Sequence, residues 1–275
     1  TVNKKVIESL IKSGAMDSLG LKRAQMIVIL DKVLDKSSRK SRISSNQLFL
    51  FESKPKKEDV PDIEEWPMSE ILTFEKKLLG MYVSSHPLEA YSKLMQLLNI
   101  DNISSLYDNE FSRNVTIFGV IEKIKLTTTR KKNERMAIIK VGDKTFSIEA
   151  FVFPRVYETS AVYLSESKVI MLKGALQTKD RVPKIIANEI IPADNIFAKA
   201  KELNISVSKG AVNISRLKEI FTRNKGPIPV YFALKNSKFK GVKIKTAHDF
   251  SLTINDSLLN DIASVVGQEN ISLKV

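Results

Sequence analysis

Chemistry at a polymerase or nuclease centre needs carboxylates close enough to share a divalent ion, most often as Asp-x-Asp on a strand or as acids on adjoining elements. No Asp-x-Asp occurs in this sequence. The two histidines, His86 and His248, stand far apart, and with no cysteine they make a poor zinc set. A phosphate-binding lysine loop, a dinucleotide glycine fingerprint and a nucleophile elbow are also missing, so no catalytic centre, metal or cofactor is expected of this chain. The residues suited to chemistry are binding residues. Between positions 121 and 136 the sequence IEKIKLTTTRKKNERM gathers Lys123, Lys125, Arg130, Lys131, Lys132 and Arg135. Phosphates need cations and unstacked bases need aromatic faces. Phe118, Phe146, Phe151, Phe153 and Tyr157 are the rings near enough in sequence to take part, with Phe118 placed in the candidate site. Phe146 and Phe151 have opposite parity, so a regular strand would turn them to different faces.

A second group lies near the N-terminus, where Lys4, Lys5, Lys12, Lys22 and Arg23 surround the turn SGAMDSLG at 13–20. Backbone N–H groups in such a turn bind duplex phosphates where glycine allows close approach, although this turn lacks the tight Gly-x-Gly of strong examples. Lys12, Lys22 and Arg23 are the DNA-contact candidates. A third group is apolar. Gln47-Leu48-Phe49-Leu50-Phe51 lies in a segment of Ser, Lys, Pro, Glu and Asp with little core nearby. Two readings are open for an isolated apolar cluster of this kind: it folds back onto the neighbouring helices, or it is a partner-binding site, with Leu50 and Phe51 filling a pocket and the Gln47 amide fixing register. Micromolar affinity, about −8 kcal/mol, is reasonable for a peptide that must be ordered on binding.

The elements that must position these groups follow from periodicity. Residues 1–40 carry Val2, Val6, Ile7, Leu10 and Ile11 at helical spacing, then a glycine-punctuated turn and a second helical run. Thr1 opens into the first helix without a start signal, which reads as a chain cut from something longer. Residues 41–66 form a linker, and 67–112 return to helical periodicity through Ile71, Phe74, Leu78 and Leu79. From 113 to 195 the period becomes two. Strands are predicted from Val115, at 136–141, 146–152, 169–177 and 184–191, with a helix over 154–164 between the third and fourth. Five strands with that helix have the economy of an OB-fold barrel, in which the first turn overhangs the ligand groove. Residues 196–275 mix strands at 205–207, 229–234 and 242–245 with helices at 214–223 and 256–266. The fold class is therefore multidomain α+β: a helical hairpin region, a five-stranded barrel and a small C-terminal α+β domain.

Composition agrees with binding to a polyanion. Lys and Arg number 44 against 31 Asp and Glu, a formal charge of +13, with 43% hydrophobic residues. The sequence shows no signal-peptide pattern and no apolar run long enough to span a bilayer, so a soluble cytoplasmic protein without membrane contact is expected.

Specific stretches resemble the C-terminal region of the bacterial DNA polymerase III alpha family. VIESLIKSGAMDSLGLKRAQM at 6–26 resembles the family's last helix-hairpin-helix, and EKKLLGMYVSSHPLEAY at 75–91 its Leu-Gly-aromatic and Ser-Gly-His-Pro-Leu pattern, with Ser85 in the glycine position. Between them, Gln47, Leu48, Leu50 and Phe51 match the family's clamp-binding pentapeptide, while Phe49 replaces a small or acidic third residue. VTIFGVIEKIKLTTTRKKNERMAIIKV at 115–141 and FVFPRVYE at 151–158 resemble its OB domain, except that Val141-Gly142-Asp143 stands where Glu-Asp is usual. The resemblance implies binding to the sliding clamp beta through 47–51, to single-stranded and primed DNA, and to the clamp-loader tau subunit through 196–275. It also implies that the parent's polymerase domains lie outside this chain. Two rival classes remain open, a stand-alone single-strand-binding protein and the anticodon-binding part of a tRNA ligase.

Overall fold

The computed structural model describes residues 3–43, 60–108, 111–178, 182–207, 213–234 and 243–275. It divides into two compact units, Thr1–Pro87 and Leu88–Val275. In the first unit, α1 (Lys4–Lys12) is started by the Asn3 side chain, which accepts from the Lys5 N–H at 3.1 Å. The turn that follows passes through left-handed glycines at 14 and 20 and leads into α2 (Arg23–Ile43). Ile11, Met26 and Leu30 form the small core between the two helices.

The chain then returns to the beginning of α2. A helix start leaves N–H groups without partners. Here Glu65 supplies them from a distance, accepting from the Arg23 N–H at 2.7 Å and the Ala24 N–H at 3.0 Å. Lys22 Nζ donates to the Ile63 carbonyl and Gln25 Nε2 to that of Pro61. Next comes α3 (Met68–Leu79), with Phe74 packed edge-on against Trp66.

Arg23 ties these parts together from a buried position. Its guanidinium donates twice to the Asp17 carboxylate, at 2.9 and 2.7 Å, and once to Glu75 Oε1 at 3.0 Å. Glu75 is wholly buried and also accepts from the N–H groups of Val83 and Ser84. Burial opposes the Glu75 charge, but bonds from Ser84, Val83 and Arg23 outweigh it and hold the pKa at about 2, below the ordinary 4.5. A carboxylate depressed in the folded state contributes stability above its unfolded pKa and loses it as pH falls toward the folded one. We predict that the first unit loses up to about 3 kcal/mol between roughly pH 5 and pH 2. Fluorescence of Trp66, the single tryptophan, reports on that unit during denaturation. Glu75→Gln should flatten the acid dependence and, by removing one of the two carboxylates that face the buried Arg23, cost up to about 3 kcal/mol at neutral pH.

In the second unit, α4 (Ser92–Leu97) and α5 (Ile103–Tyr107) precede a closed barrel. Its strands are β1 (Asn114–Thr128), β2 (Arg135–Gly142), β3 (Ser147–Val152), β4 (Val169–Gln177) and β5 (Lys184–Pro192). The order is β1-β2-β3-β5-β4, closed by the parallel pair β3–β5 and by β4 against the first half of β1. Strand β1 is long enough to serve both neighbours. A register shift between Ile121 and Lys123 lets it turn from β4 to β2. Alternate residues point inward, so Ile117, Ile121, Ile139, Ala150, Val152, Leu172 and Ile185 fill the core, while Ile103 and Leu106 of α5 join it. The helix predicted between the third and fourth strands is present as α6 (Pro154–Ser160), continued by a short turn.

The terminal domain contains β6 (Glu202–Val207), α7 (Ile214–Arg223), β7 (Lys225–Ile228), β8 (Val230–Leu234), β9 (Lys243–Lys245), α8 (Asp256–Val266) and β10 (Ile271–Lys274). Asn213 and Asn255 cap the two helices by accepting from the Arg216 and Leu258 N–H groups. Four strands pair in the order β10-β6-β8-β9. Leu203, Ile205, Val230, Ile271 and Leu273 form one face of this sheet and pack with Leu217, Phe221, Leu258 and Ile262 of the helices. The same core takes in Phe118, Val120, Met171 and Ile191, outward residues of the barrel. Multidomain α+β is the observed class, with β10 an element that the sequence pattern did not reveal.

Candidate nucleic-acid interface

The two halves of the barrel's outer surface differ. Strand β4 and the first half of β1 turn Phe118, Val120 and Met171 into the second core. Along the rest of β1, across β2 and β3 and along the first half of β5, the outward residues Lys123, Lys125, Ile138, Lys140, Phe151 and Lys184 are partly or fully exposed. Paired positions in adjacent strands share a face, so the register defines rows. One row runs Lys125, Ile138, Phe151, Ile186, and the next Lys123, Lys140, Glu149, Lys184. Lys184 Nζ lies 5.8 Å from the centre of the Phe151 ring. Phe153, 41% exposed, stacks beside Phe151 with centroids 6.5 Å apart and planes 24° from parallel. Two rings and a cation on an open strand surface can stack bases while holding phosphates.

The turn between β1 and β2 follows directly on the Thr128–Arg135 pair of this surface and is held by its own backbone. Thr129 N–H donates to the Glu134 carbonyl at 2.9 Å and Asn133 N–H to the Thr129 carbonyl at 3.0 Å. Asn133 takes a left-handed φ of 53°, which asparagine tolerates better than most residues. Arg130, Lys131, Lys132 and Arg135 are all exposed, as are Lys123 and Lys125 on the strand. None of these six forms an ion pair among the described residues. Lys140 differs, pairing with Glu122 at 3.3 Å.

Two expected contacts are corrected. Phe118 points outward but is only 2% exposed, packed 5.9 Å from Tyr91 in the core shared with the terminal domain, so it cannot meet a ligand. Arg23 is 5% exposed and its donors are taken by Asp17, Glu75 and Ser84, which leaves none for DNA. Lys12 lies over the Phe74 ring at 5.1 Å, and Lys22 donates to the Ile63 carbonyl. Both brace the first unit. Gln47, Leu48, Phe49, Leu50 and Phe51 lie outside the described residues.

The other rings separate as well. Phe146, 49% exposed, sits by Tyr107 next to the β2–β3 turn, at the barrel end away from the basic turn. Tyr157 packs toward the barrel core. Asp143, in place of the acidic pair usual in the family, organises the β2–β3 turn. Burial works against its charge, but N–H groups of Phe146 and Thr145, the Thr145 hydroxyl and the Ile103 N–H lower its pKa below the ordinary value. Sequence alone does not assemble Phe153, Lys140 and Lys184 as a set. The alternation around Val152 and Ala150 gives the outward turn of Phe151, whereas Lys184 meets it only through the β3–β5 closure. Among the described residues no cluster of acids and histidines could hold a metal, and no helix is long and apolar enough to cross a membrane.

Residues 115–193 match the family model described as OB-fold nucleic acid binding domain, which is the class that barrel and open surface define. Along its whole length the chain is related to bacterial DNA polymerase III alpha subunits, in their C-terminal region. It is 29% identical to that of Bacillus subtilis over 280 residues, covering 100% of this chain and 25% of the relative. The Aquifex aeolicus subunit is 34% identical over 200 residues, 72% of this chain and 16% of the relative. That of Escherichia coli is 23% identical over 287 residues, 99% and 25%. The chain thus spans about a quarter of the length of most of these relatives.

The separation of the two faces has a direct test. Phe118→Ala should destabilise the second unit by about 3–5 kcal/mol in chemical denaturation, as an emptied core site does. Phe151→Ala should cost less stability yet weaken binding of a fluorescent oligothymidine about tenfold, the loss of one stacked base.

Proposed function

We propose that this chain serves as the part of a DNA polymerase III alpha subunit that holds the enzyme on primed DNA and on its sliding clamp, giving processivity, with polymerisation carried out by domains outside it. The open half of the barrel carries this reading. A single strand laid across Phe151 and Phe153 would meet Lys123, Lys125 and Lys184, with Arg130, Lys131, Lys132 and Arg135 above it. The five divisions 1–40, 41–66, 67–112, 113–195 and 196–275 serve as functional units in this proposal, with the helical end as a scaffold whose candidate DNA residues Lys12, Lys22 and Arg23 are engaged within it. Its cellular place is the cytoplasm, with the chromosome.

The clamp contact rests on the sequence match of Gln47, Leu48, Leu50 and Phe51. Weak sites on one chain raise each other's effective concentration, so a micromolar peptide and a modest single-strand groove together retain a polymerase better than either does alone. For the terminal domain, the proposed partner is the tau subunit of the clamp loader. An apolar groove of about 680 Å³ between α7 and strands β8 and β9, lined by Leu217, Phe221, Phe232, Leu234, Ile244 and Phe250, supports a protein contact there. The relatives' names favour a polymerase over a free-standing single-strand-binding protein or a tRNA ligase.

Leu50→Ala with Phe51→Ala should abolish binding to the purified clamp in a fluorescence titration and leave oligonucleotide binding intact. Unchanged clamp affinity would remove the pentapeptide assignment. Lys131→Ala with Lys132→Ala should weaken single-strand binding and reduce its log–log salt slope by about 0.7 for each phosphate that is no longer neutralised. An unaltered slope would place the nucleic-acid site elsewhere.

A further inference from the structure

The terminal sheet has helices on one face only. Its inward residues meet α7 and α8, whereas on the alternate face Lys243, Lys245, Ser272 and Lys274 are exposed, Glu202, Ser206, Tyr231 and Ala233 are partly exposed, and Asn204 is buried beneath them. Register places Ser272, Asn204, Tyr231 and Lys245 in one row across all four strands, and Ser206, Ala233 and Lys243 in the next. Tyr231 is therefore the aromatic side chain at the centre of a polar surface, on an inner strand. Lys243 Nζ reaches back to donate to Asn204 Oδ1 at 2.8 Å. Lys243 and Lys245 are both exposed, and neither forms an ion pair among the described residues.

Charge distribution separates this face from an ordinary solvated one. Soluble surfaces interleave both signs. Beside Tyr231 the described cations are Lys243 and Lys245, and the sequence from 220 to 248 contains no Asp or Glu. On the sheet itself the carboxylate of Glu202 is matched by Lys274 at 3.0 Å, on the far edge pair, which leaves the Tyr231 and β9 side purely cationic.

We propose that this open face is a second single-stranded nucleic-acid site, separate from the barrel surface. A base stacks on the partly exposed Tyr231 ring while the flanking phosphates are held by Lys243 and Lys245; Asn204, 8% exposed, lies beneath and anchors Lys243. An acidic protein would also be drawn to the lysines and would pack on Tyr231, so direct titration with an oligonucleotide decides between the two occupants.

The test is fluorescence anisotropy of the full chain with labelled thirty-residue oligothymidine over a salt series. Tyr231→Ala, Tyr231→Phe and Lys243→Ala with Lys245→Ala are each made in the natural sequence and in the Lys131→Ala, Lys132→Ala background. Expected results are about tenfold weaker binding for Tyr231→Ala, recovery by Tyr231→Phe, and a salt slope lower by up to about 1.4 for the double lysine variant. Because the second background already lacks the barrel-turn cations, effects that persist there come from the terminal sheet whether or not the barrel reading holds. Affinity and slope equal to the parent in both backgrounds would overturn the proposal. So would a lowered slope with Tyr231→Ala without effect, since the lysines would then act only as diffuse charge.

Discussion

Closing a sheet into a barrel commits one side chain in two to the interior, and the use made of the outward half governs the rest of the second unit. Strand β4 and the beginning of β1 give that half to packing, where Phe118, Val120 and Met171 join the terminal domain in one apolar core. The end of β1 with β2, β3 and the first half of β5 gives it to solvent, as cations around Phe151 and Phe153. Neither arrangement would hold if the other strands were covered instead. A buried β2–β3 surface would take the charges of Lys140 and Lys184 out of water, and an exposed Phe118 surface would be a large apolar patch of the kind that promotes association.

The first unit relies on a different economy. Its apolar core is small, with Ile11, Met26 and Leu30 at the centre, and the weight falls on carboxylates directed at the start of one helix. Glu65 meets the backbone there, while Glu75 and Asp17 meet the Arg23 side chain. Removing charges from water is costly, and such a network is favourable only when nearly every donor is used. Here the guanidinium reaches Asp17, Glu75 and Ser84, and Glu75 also takes the Val83 and Ser84 N–H groups. No buried side-chain nitrogen or oxygen among the described residues lacks a hydrogen-bond partner.

What could be read from the sequence follows the range of each interaction. Period-two alternation is local, and it located the barrel strands to within a residue or two of β2 to β5. The helices at 214–223 and 256–266 coincide with α7 and α8, because apolar spacing and asparagine caps are local as well. Contacts made across long separations stayed hidden. Phe118 has an aromatic's suitability for a groove, and only the terminal domain, some eighty residues on, makes it core. Arg23 has a phosphate-binder's chemistry, and its occupation by Glu75 depends on a chain reversal that no short window contains. Lys184 could not be matched with Phe151 before the parallel closure was known. β10, four residues long, carries too few alternations to stand out.

The reversal held by Glu65 also bears on how this part of the chain can evolve. Because Pro61, Ile63 and Glu65 meet the first turn of α2, a change in one partner is felt by the other. Loss of the Glu65 carboxylate leaves two helix-start N–H groups without their acceptor, and natural variants should keep an acid here wherever α2 begins in this way.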